Sequence, residues 1–472
     1  MTTNTKDVKS FDIEKIEVDC YTGRNFDLMN MWTQIDLYED LFSNVLTAQV
    51  KIRDHQNLIM NGPLCGRETI TITYKTPGKG SVTKKFRVYK VGPRTPQANE
   101  TTVQYTLSMV SEEFITSQQT KISQFYEGKI DEIVNKIHSD HLGSSTPLKA
   151  EKCLHKQKFI IPYWTPLNSI NWLSARAVDS KNPENCNWLF YEDLDGFKFT
   201  TWGKLASEEA TSAPDSLLES IGRAIIDILP STPSNSTFSD FTYFPSPTET
   251  DSDGEDKEIA FKNMERLLFP SAHNVMENIE SGYFASHLVT HDIVRKKYEH
   301  SKYSYKNDFN SADRVEKESM LAQKGDDFSD KEWSHYKYYP KHKLAFDKQD
   351  DNDKVETWVL KRNAQMQQME GQRLNFTAPG DSTRRVGQVV DITMPTFATP
   401  SKPLENWYDK YITGKYVISA IRHSISNENY EMRVELIRDS LPNPMPSSAT
   451  NFNFGSLVDS AADFFRRLVQ IP

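Results

Sequence analysis

Ile16, Val18 and Cys20 alternate with Glu17 and Asp19, and near the other end of the chain Tyr430, Met432, Val434 and Leu436 alternate with Glu431, Arg433 and Glu435. A two-residue period puts one set of side chains on each face of a strand, so each segment predicts a sheet with one buried and one wet face. Around the first segment the pattern continues. In 44–53, Val45, Thr47 and Gln49 face opposite to Leu46, Ala48 and Val50. After a turn rich in Asn61, Gly62, Pro63 and Gly66 come the β-branched run 69–74 (TITITY) and strands at 84–91 and 101–110. About five strands over 11–118 suit a small barrel or sandwich. At the far end, 355–441, a short helix at 358–370 precedes strands at 373–378, 388–394, 415–423 and 430–437.

Between the two β units the character changes. Ile130, Ile133, Val134 and Ile137 lie at helical spacing and predict a helix over 128–141. Thr165 and Pro166 mark a second helix start, with Thr165 as cap and Pro166 in the first turn. Ile170, Trp172, Leu173 and Ala177 supply its buried face, and a hairpin with its turn at 193–196 follows (NWLFYEDLDGFKFTTW). We read 119–210 as a small α/β domain. In 211–257 an amphipathic helix at 215–229 leads into a flexible acidic loop rich in Ser, Thr and Pro, which buries too little apolar surface to offset its ordering entropy. The mixed region 258–354 includes a solvated loop tip at 347–354 (DKQDDNDK). The segment 442–472 reads as a Pro/Ser/Asn linker and a C-terminal amphipathic helix at 456–470, which must dock to be stable.

A chain of 472 residues suggests two to four domains. A net charge of -9 argues against a general nucleic-acid binder, though not against a channel that DNA crosses. No run is long and apolar enough for a membrane helix, and MTTNTKDVKSFDIEK lacks the apolar core of a secretory leader. Cys20, Cys65, Cys153 and Cys186 show neither CxxC nor metal-ligand spacing and read as reduced, mostly buried thiols, with one disulfide as the alternative.

The residues that invite a chemical reading have plainer ones. His287 and His291 would share a helix face and chelate zinc, but Leu288 stands where a metalloprotease needs Glu, and the segment is β-prone. Sheet or surface histidines are the simpler expectation. His138 and His141, beside Asp140, complement a helix C-terminus. The turn at 77–80 (PGKG) is a hairpin loop; no GxxxxGK[ST], GxGxxG or GxSxG occurs, and no carboxylate pair stands out. The stretches 297–305 (KYEHSKYSY) and 333–339 (WSHYKYY) mix rings with positive charge: a protein interface, a stacking surface for single-stranded nucleic acid, or ordinary strand packing. No catalytic, metal or cofactor-binding residue is expected.

Four segments, taken in order, resemble the central baseplate hub proteins of contractile-tailed, T-even-type phages, and more distantly the hubs of type VI secretion spikes. LFSNVLTAQVKIRDHQNLIMNGPLCGRETITITY resembles the opening barrel. WTPLNSINWLSARA with WLFYEDLDGFKF resembles the helix-plus-hairpin domain, and IESGYFASHLVTHDIVRKKYEHSKYSYKNDF the approach to the second tube domain. PGDSTRRVGQVVDITMP through YDKYITGKYVISAIRHSISNENYEMRVELIRDSL resembles that domain's final strands. The resemblance covers about two thirds of the chain and leaves 211–257 and 310–355 unmatched. It implies a mixed β-rich α+β fold with two tube-type antiparallel β-barrel domains, a small α/β domain and irregular insertions. It also implies a non-enzymatic homotrimer in the virion, assembled in host cytoplasm, whose six barrels adapt a six-fold tail tube to a three-fold spike. Its partners would be the spike protein or spike lysozyme, the tube protein and surrounding wedge proteins, with DNA only in transit. A spike hub of a phage-derived injection or secretion machine is the alternative, disfavoured because too little chain follows 442 for an effector. A hydrolase without a recognisable motif is the third.

Overall fold

The computed structural model describes residues 9–96, 102–208, 240–243, 262–270, 274–320, 331–341, 354–395 and 408–445. The expected helices at 215–229 and 456–470, the acidic loop before 258 apart from residues 240–243, and all but the last residue of 347–354 lie outside the described residues.

The N-terminal strands are β1 (Asp12–Asp19), β2 (Asn25–Asp27), β3 (Trp32–Asp40), β4 (Thr47–Asp54), β5 (Thr69–Lys75), β6 (Val82–Val91), β7 (Thr95–Pro96) and β8 (Val103–Val110). Alternation shapes them: in β4, exposed Thr47, Gln49, Lys51 and Arg53 interleave with buried Ala48, Val50, Ile52 and Asp54. The pattern did not announce β3, where Asp36, Glu39 and Asp40 dilute the apolar signal of Ile35 and Leu37.

The middle of the chain contributes β9 (Ile122–Lys129), β10 (Leu148–Ala150), β11 (Lys156–Trp164), β12 (Trp188–Asp193) and β13 (Gly196–Thr201). β9 pairs with β11, and β10, β13 and β12 form a three-stranded sheet. The first helix is shorter than its periodicity predicts, running Ile130–Ile137, because Gly128 and Lys129 finish β9. The Glu132 carboxylate accepts the Lys129 N–H at 3.2 Å, and the chain leaves through a π-turn, His138–Leu142. Helix Pro166–Ser174 starts as predicted: the Thr165 hydroxyl accepts the Asn168 N–H at 3.4 Å. At the hairpin tip Asp193 accepts the N–H groups of Asp195 and Gly196 at 2.8 and 2.9 Å. Ile133, Ile137, Ile170, Leu173, Trp188 and Phe199 share one core there.

Then come β14 (Phe241–Thr242), β15 (Glu265–Leu268), β16 (Ala285–Asp292), β17 (Lys297–Ser304) and β18 (Tyr336–Lys341), followed by β19 (Gln372–Pro379), β20 (Val389–Thr393), β21 (Gly414–Ser426) and β22 (Tyr430–Arg438). β17, β16 and β18 form a separate sheet whose inner face shares a core with helix Val359–Gln368.

The remaining strands join into one antiparallel-rich sheet of 14 strands, with the path β15-β19-β22-β21-β3-β4-β8-β6-β5-β1-β2 and β7, β14 and β20 beside it. Hydrogen bonding thus does not stop at a border between the two terminal β units. It crosses from β3 to β21, and a continuous hydrophobic core beneath reaches from Ile16 to Ile437. The chain is β-rich with large antiparallel sheets.

Glu192 of β12 plugs into the first unit. Its carboxylate accepts the Leu46 N–H at 3.0 Å and the Ser111 hydroxyl at 2.5 Å, with Lys84 at 3.5 Å. Burial outweighs these favourable partners and pushes its pKa up to about 7. A carboxyl whose folded pKa is raised favours the fold while protonated, so its contribution is complete below the unfolded value and lost as pH rises through about 7. Between pH 5 and 8, parent protein is expected to lose about 3 kcal/mol through this group. Glu192→Gln should flatten that part of the pH profile in urea unfolding; an unchanged slope would refute the assignment.

Candidate functional site

The sequence joins its two ends at the seam between β3 and β21, where Gln34 to Asp40 pair with Ser426 to Ala420. Inward side chains at a seam between apolar units should be apolar, and Ile35, Leu37, Ile421 and Ile425 are. Glu39 and His423 share their phase but are polar, with relative exposures of 1% and 0%. His423 Nε2 lies 3.2 Å from Glu39 Oε1, and its Nδ1 lies 2.8 Å from the Tyr430 hydroxyl. A carboxylate only accepts, so Nε2–H donates to Glu39 and Nδ1 accepts from Tyr430. Glu39 is also approached by the Val386 N–H at 3.5 Å. The neighbouring Arg385 donates to the carbonyls of Ser382 and Arg384 and pairs with Asp195 of the middle hairpin at 3.2 Å. One buried polar chain therefore ties β3, β21, β22 and the 380–388 loop together.

The other face of the seam is wet. Arg422 clasps Asp36 with two bonds, Nε to Oδ1 at 3.1 Å and Nη2 to Oδ2 at 3.0 Å, and its guanidinium lies 5.6 Å from the Tyr38 ring centre. Register carries this polar face sideways. Tyr38 faces Thr47 and Asp36 faces Gln49 on one side; Arg422 faces Arg433 and Ser424 faces Glu431 on the other. Beyond these lie Gln49 against Ser108 and Arg433 against Thr377. The result is a hydrophilic surface over six strands drawn from both ends of the chain. Lys51, Arg53, Arg422 and Arg433 share it with Asp36, Asp40, Glu431 and Glu435; Asp36 pairs with Arg422, and Glu431 with Lys9 at 2.9 Å. A cleft of about 520 Å³ opens where Arg266 and Leu268 of β15 stand beside Tyr38, Arg422 and Glu435.

The residues flagged for chemistry do not converge. His287 and His291 lie on one face of β16 but separate: His287 Nε2 meets His300 Nδ1 at 3.0 Å, and His291 Nδ1 meets the Tyr338 hydroxyl at 2.8 Å. His138 is buried against the edge of Phe197, which lowers its pKa, whereas His141 bonds the Tyr126 hydroxyl at 3.1 Å. Among the described residues no group of three or more His, Cys, Asp or Glu is placed to hold a metal ion. All four cysteines are free, with Cys65 exposed and the others buried. No described helix is long and apolar enough to cross a membrane. The seam pair Glu39 and His423 escaped the sequence reading. Its signal was a polar residue in the buried phase of an otherwise regular strand, once after Ile35 and Leu37 and once between Ile421 and Ile425.

No family model matches the sequence, and no curated protein does. Folds are more persistent than sequences. The 43 kDa tail protein of prophage MuSo2 from Shewanella oneidensis superposes with a TM-score of 0.50 at 10% identity, over 92% of this chain and 100% of that one. The chain has the fold of a phage tail protein. A tail protein from Neisseria meningitidis MC58 gives 0.48 at 10% identity over 92% of this chain and 100% of that chain. An E. coli component of the type VI secretion system gives 0.40 at 9% identity, over 91% and 76%.

Proposed function

We propose that the protein is a structural, non-enzymatic hub of a tail baseplate that works as a homotrimer. In this reading the two terminal β units are tube-type barrels flanking the small α/β domain, and three copies present six of them in a ring. The ring joins the tail tube above to the spike protein or spike lysozyme below, with wedge proteins around it. The observation that supports this most is the seam: β units from opposite ends of one chain share a single sheet, in a fold common to a phage tail protein. An open sheet leaves edges that invite pairing, and closure with further copies removes them. The polar face across the seam suits a lumen. It carries carboxylates among its cations, which would weaken its hold on the phosphates of a duplex in transit.

Light scattering on the purified chain, alone and mixed with its spike, tests the trimer. The expected mass is three times 54.3 kDa, in one sample or both. A protein that stays monomeric in both has no ring to form, and the hub reading falls.

A further inference from the structure

The three-stranded sheet of β16, β17 and β18 presents an outer face that the hub reading leaves without a role. Register puts Tyr298, His300 and Lys302 of β17, His287, Val289 and His291 of β16, and Tyr336, Tyr338 and Pro340 of β18 on this one side. Trp333, just before β18, lies flat over His287 with ring centres 3.9 Å apart and planes 19° apart. Tyr298 lies flat over His291 at 4.3 Å and 6°. In both stacks the histidine is the inner ring, and the outer rings are 61% and 60% exposed. Tyr336 extends the first platform, 15° from the plane of Trp333.

Charge follows the rings. None of the strand positions on this face is acidic; Asp292 and Glu299 fall on the reverse face, where Glu299 meets Lys341 at 3.5 Å. Lys302 stands opposite His287, beside the Trp333 platform. Exposed Arg295 and Lys296 sit in the turn that joins β16 to β17, beside the Tyr298 platform. Register and sequence thus bring cations to both ends of this face, on a chain whose overall charge is -9. His287 and His291 are four residues apart in a strand, which sets the platforms roughly 13 Å from each other.

Rings lying flat with their outer faces open, on a face with positive charge at both ends, match a ligand that alternates planar groups with anions. We propose that this face binds single-stranded nucleic acid, with bases stacked on Trp333 and Tyr298 and phosphates near Lys302, Arg295 and Lys296. Two separated platforms favour a strand over a free nucleotide, and a duplex keeps its base faces inside. The inference is independent of the hub reading, since a trimer could carry this face or lack its activity.

Titration of the full-length protein into a fluorescein-labelled oligothymidylate tests it. Binding is expected to weaken with rising salt and to fall about tenfold or more in Trp333→Ala, further in Trp333→Ala with Tyr298→Ala, and little in Trp333→Phe. Circular dichroism of each variant shows that the sheet is kept. The proposal is overturned if the oligonucleotide does not bind, or if folded Trp333→Ala binds as parent does. It is equally overturned if a duplex binds as well, or if oligoglutamate competes as strongly, which would make the face a docking surface for an acidic protein.

Discussion

His423→Leu is expected to lower the unfolding free energy by about 3–5 kcal/mol, read as a shift in the denaturant midpoint. The change removes the partner that receives the Tyr430 hydroxyl proton and satisfies the Glu39 carboxylate. Glu39 would keep the Val386 N–H at 3.5 Å and the more distant charge of Arg385, and would stay buried. Most of the loss is the cost of leaving a buried acceptor and the buried Tyr430 hydroxyl without their partner, not the intrinsic worth of the pair. Hence Glu39→Leu combined with His423→Leu should recover much of the stability, since apolar replacements of a buried pair are often close to neutral. A single variant within about 1 kcal/mol of parent would show that water reaches the pair and that the seam is loose.

Gly380→Ala is expected to cost about 3 kcal/mol or more, a methyl group too many in a packed site. A Cβ at Gly380 would sit 2.1 Å from the Tyr430 Cγ and 2.2 and 2.4 Å from its Cδ atoms. Neither side can yield: the ring is fully buried, and the Gly380 N–H is held by the Tyr430 carbonyl at 2.9 Å. Gly80→Ala is the matched control, because a Cβ there meets nothing within 4 Å. Thermal melts that move equally for both would remove Tyr430 from its place as the wedge behind the seam.

What could be read from sequence was local. Strict alternation found β4 and β22, β-branched content found β5, and a Thr–Pro pair found the start of Pro166–Ser174 to the residue. β3 was lost because carboxylates occupy it: Asp36 serves Arg422 on the wet face and Glu39 serves His423 beneath. Each acid makes sense only beside a partner supplied from the far end of the chain. The same holds for the aromatic stretches at 297–305 and 333–339. Their composition was plain, but only register shows that Tyr298, Tyr336 and Tyr338 share a side while Tyr303 and Tyr339 are on the reverse face. The notched ends of the first helix depend on β9, which pairs with a strand beyond it in sequence.

The seam also sets a timetable for synthesis. Glu39 and His423 are 384 residues apart. At ribosomal speeds β3 emerges roughly 20–80 s before the strand that completes its pairing exists. Throughout that interval the first β unit carries an open edge and an unanswered buried acid. Nascent chains are therefore adhesive from the emergence of β3 until β21 exists, and contacts of such long range also close slowly. Fragments ending before β21 should accumulate as aggregates or chaperone-bound species, whatever the stability of the completed molecule.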